Sequence, residues 1–201
     1  MFTGIIEAPG RIIKINNSRS NLELYIESPL TPQLHIDQSV SHDGACLTID
    51  ELGPDWHRCT RVRETLNITH FEDRREGDMI NLERAVRIDS RWEGHMVQGH
   101  IDVNVPCMSV FDQDGSWVYQ FELPDAYSTL VIKKGSICVN GVSLTISALN
   151  EGAFQVTIIP YTYLHTNFRT IQPGDRVNIE FDLIAKYLDR QLEAYKVQGF
   201  R

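Results

Sequence analysis

The chain lacks any CxxC pair: Cys46, Cys59, Cys107 and Cys138 stand far apart, so the close spacing that zinc and redox sites use is missing. They read as reduced thiols, with no metal implied. Also missing is a basic opening followed by an apolar run. MFTGIIEAPG resembles neither a secretory signal nor a membrane anchor, and the expected location is the cytoplasm. Positive charge is scarce. A formal charge of -8 repels phosphate backbones and anionic lipid, which disfavours nucleic acid or a membrane as partner. What is present is ordinary: 42% hydrophobic and 23% charged residues exclude long disordered or fibrous segments. The 201 residues suffice for one large domain or for two of about 100 residues each.

An internal repeat chooses between these. HDGACLTIDEL at 42–52 aligns with VNGVSLTISAL at 139–149, an offset of 97 that matches Gly44 to Gly141, Leu47 to Leu144, Thr48 to Thr145, Ile49 to Ile146 and Leu52 to Leu149. Without a gap it continues through Thr65 and Thr162, Thr69 and Thr166, Phe71 and Phe168, Gly77 and Gly174, Asp78 and Asp175, Asn81 and Asn178, and Glu83 and Glu180. The front edge is fainter: MFTGIIE at 1–7 resembles MVQGHID at 96–102 at an offset of 95. The expected domains are therefore 1–95 and 96–183, followed by a tail at 184–201.

Each half has β texture. GRIIKIN, LELYIES, RCTRVRETL and AFQVTIIPY are short runs rich in β-branched and aromatic residues, separated by Gly, Asn, Asp and Pro. Two small antiparallel barrels are expected, since closure removes exposed sheet edges. Only the end departs: in LIAKYLDRQLEAYKV, Ile184, Tyr187, Leu188, Leu192 and Tyr195 recur at helical spacing. That stripe must be buried against a barrel or another subunit.

A bare tandem repeat is more often a duplicated structural module than a site. The repeat, however, keeps hydroxyls at matched places, Thr48 with Thr145 and Thr65 with Thr162, and a buried hydroxyl needs a backbone or ligand partner. Further segments carry a resemblance. MFTGII, SVSHDGACLT at 39–48, RETL at 63–66 and NLERA at 81–85 are similar to the first half of the riboflavin synthase family. GHMVQGHID at 94–102, KGSICVNGVSLT at 134–145, IIPYTYLHTNF at 158–168 and GDRVNIEFDLIAKYL at 174–188 are similar to its second half. The motifs occur in order and cover essentially the whole chain.

The resemblance implies an all-β fold of two six-stranded Greek-key barrels plus a C-terminal α-helix, assembled as a homotrimer. It implies one 6,7-dimethyl-8-ribityllumazine bound per barrel, with the reacting pair between the N-terminal barrel of one subunit and the C-terminal barrel of its neighbour. A four-carbon unit would pass between the two, giving riboflavin and 5-amino-6-(D-ribitylamino)uracil without metal or redox cofactor. Association with lumazine synthase is left open. A dismutation of two identical molecules needs two similar pockets, and a duplicated barrel supplies them.

By resemblance, Ser39, Cys46, His100 and Asp182 are the catalytic candidates. Taken alone, Cys46 reads as a small buried hydrophobe, but its repeat partner Ser143 suggests a polar lining at both places. His100 aligns with Ile5 and so breaks the duplication; a lone His is usually structural, while a proton-handling one titrates near neutrality. Asp182 aligns with Ala85, and an Asp just before a helix is often its N-cap. The first pocket is matched by Gly4, Ile5, Ile6, Cys46, Leu47, Thr48, Thr60, Arg61, Val62, Arg63, Glu64 and Thr65, with Gly99, His100 and Ile101 in the joining motif and Phe2 either near the pocket mouth or in the core. The second is matched by Lys134, Ser143, Leu144, Thr145, Ile159, Pro160, Tyr161, Thr162, Tyr163 and Leu164. Glu64 aligns with Tyr161, so the pockets are expected to differ chemically. The alternative on the same double barrel is a non-catalytic lumazine- or flavin-binding protein.

Overall fold

The computed structural model describes residues 1–18, 21–62 and 68–197. In the first half, β1 (Ala8–Ser18), β2 (Asn21–Glu27), β3 (Ser39–His42), β4 (Ala45–Leu52), β5 (Trp56–Val62) and β6 (Met79–Arg84) close into a barrel in the order β1-β2-β5-β4-β3-β6. The second half repeats this with β7 (Val103–Asp112), β8 (Trp117–Glu122), β9 (Ser136–Val139), β10 (Val142–Asn150), β11 (Ala153–Ile158) and β12 (Arg176–Phe181). Its order, read from β7, is β7-β8-β11-β10-β9-β12, the same antiparallel Greek-key path.

Period-two alternation builds each wall. Along β2, Leu22, Leu24 and Ile26 are buried while Asn21, Glu23 and Tyr25 face outward. With Ile12, Val40, Ile49, Ile80 and Leu82 they fill the first core. Phe121, Phe154, Val156, Ile158, Phe168 and Ile179 fill the second. Each large aliphatic or aromatic side chain so buried contributes about 1.5–3 kcal/mol.

Two α-helices belong to the second half, one between β11 and β12 and one after β12. The run AFQVTIIPY is not one strand: β11 stops at Ile158, and α1 (Pro160–His165) begins at once. Proline explains the break, because its fixed φ and missing N–H suit the first helical position, while the residue before it is pushed to extended backbone; Ile159 sits at φ -81°, ψ 160°. The terminal helix α2 (Leu183–Val197) matches the expected amphipathic segment. Its stripe lies outward, with Ile184 67% and Tyr187 66% exposed and Leu188, Leu192 and Tyr195 close behind. Among the described residues, no helix is long and apolar enough to cross a membrane.

Candidate functional site

The barrels exchange their opening segments. Gly4 belongs to the first half, yet its carbonyl accepts from Ser143 N at 2.8 Å, and Ile6 packs on the core of the second barrel. Reciprocally, Gly99 O accepts from Cys46 N at 2.9 Å, and Ile101 is buried in the first core. Gly4 and its neighbours therefore meet Ser143, and the segment that meets Cys46 is Gly99 to Ile101, whereas the sequence expectation grouped Gly4 to Ile6 with Cys46. Only glycine fits these crossings. A Cβ on Gly4 would lie 2.6 Å from Ser143 Cβ, one on Gly99 2.5 Å from Cys46 Cβ, and both residues have φ near +80°. Phe2 and Val97 pair between the two segments and pack with Cys138 and Cys46.

Two buried carboxylates hold the crossings in place. Glu83 accepts Thr3 N and Thr3 Oγ1, each at 2.7 Å, and Gly4 N at 2.9 Å. Glu180 accepts Gln98 N, Gly99 N and His100 N at 2.6–2.9 Å. Burial pushes both carboxyls above their usual range, and the N–H donors work against that rise. A second reciprocal pair locks the barrels together: Asn81 Nδ2 donates to Asn140 O, and Asn178 Nδ2 to Asp43 O. The repeat displayed these Glu and Asn pairs as identities, but their role requires partners more than fifty residues away and was not read from sequence.

Around the first crossing, Cys46 and Thr48 share one face of β4 while Leu47 turns into the core. Thr48 is exposed rather than buried, and so is its counterpart Thr145, so these hydroxyls face outward instead of needing an interior partner. Ser39 lies directly opposite Thr48 on β3. His100 is exposed beside Gly99. Thr60 gives its hydroxyl to Asp50 at 2.5 Å, and Arg61 turns inward, 1% exposed, with its guanidinium 3.9 Å from the Phe71 ring centre. Val62 ends β5. Arg63, Glu64 and Thr65 lie outside the described residues.

Around the second crossing, Ser143 and Thr145 share a face of β10, with Leu144 between them and Ser136 opposite Thr145. Ile5 is exposed here, at the place His100 takes at the first crossing. Lys134 stands in a turn at φ +68°, where the first half has Asp37 at the same angle, so the pair differs in charge sign. At the start of α1 and along it, Ile159, Tyr161 and Leu164 are exposed. Tyr163 stacks on Trp117 at 3.7 Å, and the Thr162 carbonyl accepts from Thr166 Oγ1.

Asp182 makes the N-cap bond, its Oδ1 accepting Ile184 N at 2.8 Å. Its charge also acts on His95, whose ring bonds Ser143 Oγ at 2.6 Å. His95 was missed in the sequence; the signal available was its position after Gly94 in the GHMVQGHID motif. A cleft of about 580 Å³ lies on the charged flank of the first barrel and takes in only Ile5 of the matched residues.

Comparison with known proteins fits this geometry. The lumazine binding domain family matches residues 3–85 and 98–182, once per barrel. The chain is 34% identical to riboflavin synthase of Bacillus subtilis (strain 168) over 193 residues, 96% of this chain and 90% of that one. It is 35% identical to riboflavin synthase of Mycobacterium tuberculosis (strain ATCC 25618 / H37Rv) over 199 residues, covering 96% and 99%. The chain belongs to the riboflavin synthase family. Among solved structures, LumP complexed with riboflavin superposes with a TM-score of 0.85 at 21% identity, over 90% of this chain and 99% of that one. LumP complexed with 6,7-dimethyl-8-(1'-D-ribityl) lumazine gives 0.83 at 20%. At those identities the likeness concerns the double-barrel fold. Within the riboflavin synthase family, the sequence expectation of tandem six-stranded barrels holds.

Proposed function

We propose that this chain converts two molecules of 6,7-dimethyl-8-ribityllumazine into riboflavin and 5-amino-6-(D-ribitylamino)uracil by moving a four-carbon unit from one to the other. The observation that carries this is the reciprocal crossing. Two like surfaces arise, one at Cys46, Thr48 and His100 and one at Ser143, Thr145 and Ile5, each completed by the opposite half of the chain. Two copies of one substrate find two similar but unequal seats.

A nucleophile or water adds at C7 of one lumazine, while the other loses a proton from its C7 methyl, the carbanion being delocalised into the ring. Orientation supplies much of the rate, on the order of 7–11 kcal/mol for a well-placed pair. Cys46 and Ser39 then serve as donors or transient nucleophile at the first seat, His100 as proton shuttle, and Asp182 as a carboxylate at the second. Asp182→Asn keeps the capping oxygen, so it should fold normally and turn over more slowly; normal turnover would leave Asp182 as a cap alone.

The family resemblance and the outward stripe of α2 together support a homotrimer, with the reacting pair between chains. A cytoplasmic location remains the expectation from sequence, and association with lumazine synthase rests on the resemblance. Co-sedimentation with lumazine synthase tests the latter. The activity itself is tested by mixing the purified chain with the lumazine. Growth of riboflavin absorbance and fluorescence is expected. A bound lumazine left unchanged would instead make the chain a carrier of the same fold.

A further inference from the structure

Ser143 and Cys46 are repeat partners at the two crossings, but their surroundings differ. Cys46 packs on Phe2, Val97 and Cys138, and no histidine bonds it among the described residues. Ser143 Oγ lies 2.6 Å from His95 Nδ1. This contact is built by the backbone. Thr3 O accepts His95 N at 3.1 Å and the next carbonyl, Gly4 O, accepts Ser143 N at 2.8 Å, so one short rail places both residues. Glu83 holds the rail from behind through Thr3 and Gly4. At Gly94 any Cβ would fall 1.9 Å from Thr3 O, so the approach that sets His95 tolerates only glycine.

We propose that His95 is a positioning residue of the second seat, its Nδ1 accepting the Ser143 hydroxyl and fixing the direction in which Ser143 Oγ meets the lumazine. The proposal rests on the reading of Ser143 as a lumazine contact. Burial lowers the imidazole pKa, against the opposing charge of Asp182 at the N-cap of α2; Glu83 is the carboxylate behind the rail. The ring is therefore neutral at neutral pH and has a nitrogen free to accept. Once protonated, both ring nitrogens donate, so the bond reverses and the Ser143 hydroxyl must turn its own hydrogen elsewhere.

Three variants test this, each measured for riboflavin formation across pH and for lumazine binding. His95→Phe keeps the ring and removes the acceptor; kcat should fall on the order of 10²-fold, as for a misplaced reacting group, with KM changing little. His95→Asn places an amide near the Nδ1 position; it should restore most of kcat at neutral pH and abolish the loss on the acid side. Adding Ser143→Ala to His95→Phe should cost nothing further, because the two act as a unit. Wild-type kcat in His95→Phe, equal damage in the Phe and Asn variants, or multiplied losses in the double variant would each overturn the proposal. Imidazole ¹⁵N shifts give a readout independent of turnover: Nδ1 should be unprotonated and hydrogen-bonded in the unmodified chain, and altered in Ser143→Ala. An unmodified chain that shows those shifts but forms no riboflavin would refute the activity and leave the His95 contact standing; a protonated Nδ1 would reverse the bond's direction and overturn the proposal.

Discussion

Where the first barrel buries His42, His57 and Arg61, the second buries Val139, Phe154 and Ile158 at the matching positions. The contrast extends to the junction: Asp43, His70 and Arg74 face Asn140, Asn167 and Ile171. His42 Nε2 and His57 Nε2 meet at 2.9 Å, and Asp43 takes Arg74 Nη2 at 2.6 Å. One fold thus tolerates an ionisable interior and an apolar one. Besides the apolar wall positions, what the halves share gathers at the crossings, through Gly4 and Gly99, Asn81 and Asn178, and Glu83 and Glu180. Shape and backbone satisfaction are common to both; the charge inside each barrel is free to diverge.

The largest expected effect breaks a shared feature. Glu180→Ala strips partners from three backbone N–H groups, and Glu83→Ala from two and a hydroxyl. Each buried donor left unpaired costs about 1–3 kcal/mol. Either variant should therefore lose about 3 kcal/mol or more in urea unfolding. A harmless Glu83→Ala beside a crippling Glu180→Ala would show that the crossings are not equivalent.

Next comes the feature the halves do not share. Burial lowers the His57 pKa to about 4, and burial together with His57 lowers that of His42 well below the ordinary value. The folded pKa lies below the unfolded one, so the unfolded chain binds more protons and stability rises with pH. The stabilisation is complete above the unfolded value, about 6.5, and is lost as pH falls toward about 4. The raised carboxyls of Glu83 and Glu180 act in the opposite sense but occur once per barrel, so they do not distinguish the halves. Amide exchange between pH 7 and pH 4 should show the first barrel opening before the second, by on the order of 3 kcal/mol. Replacing His42 with Val and His57 with Phe, the second barrel's own residues, should abolish that difference. Equal acid sensitivity of both barrels would contradict it.

The smallest effect lies outside. Arg58 pairs with Asp50 and Glu51, where the second barrel has Gln155 bonded to Gln120. Arg58→Gln makes the surfaces alike. Because this pair is partly exposed, the loss should stay within about 1 kcal/mol, measured by thermal unfolding.

Much of this was legible in the sequence. The offset of 97 exposed both barrels because duplicated walls must keep the same inward positions, and the Leu22, Leu24, Ile26 alternation identified strands directly. The Ile159–Tyr161 helix start was hidden by β-branched neighbours, though Pro160 marked it. Arg61 was matched as a pocket residue, but alternation along β5 turns its side chain to the core. The crossing of Gly4 to Ser143 was invisible because it joins residues 139 positions apart, and His95 with it, since its role depends on the same rail.

The reacting pair between chains is tested most directly by complementation. Thr48→Trp should block the first seat alone and Thr145→Trp the second, since both positions are exposed; each variant should bind one lumazine per chain and make no riboflavin. Mixed after dissociation and reassembly, the two should regain a substantial fraction of the activity, because an intact first seat on one chain then adjoins an intact second seat on its neighbour. Reassembled mixtures that bind lumazine but stay inactive would mean that both substrates react within a single chain.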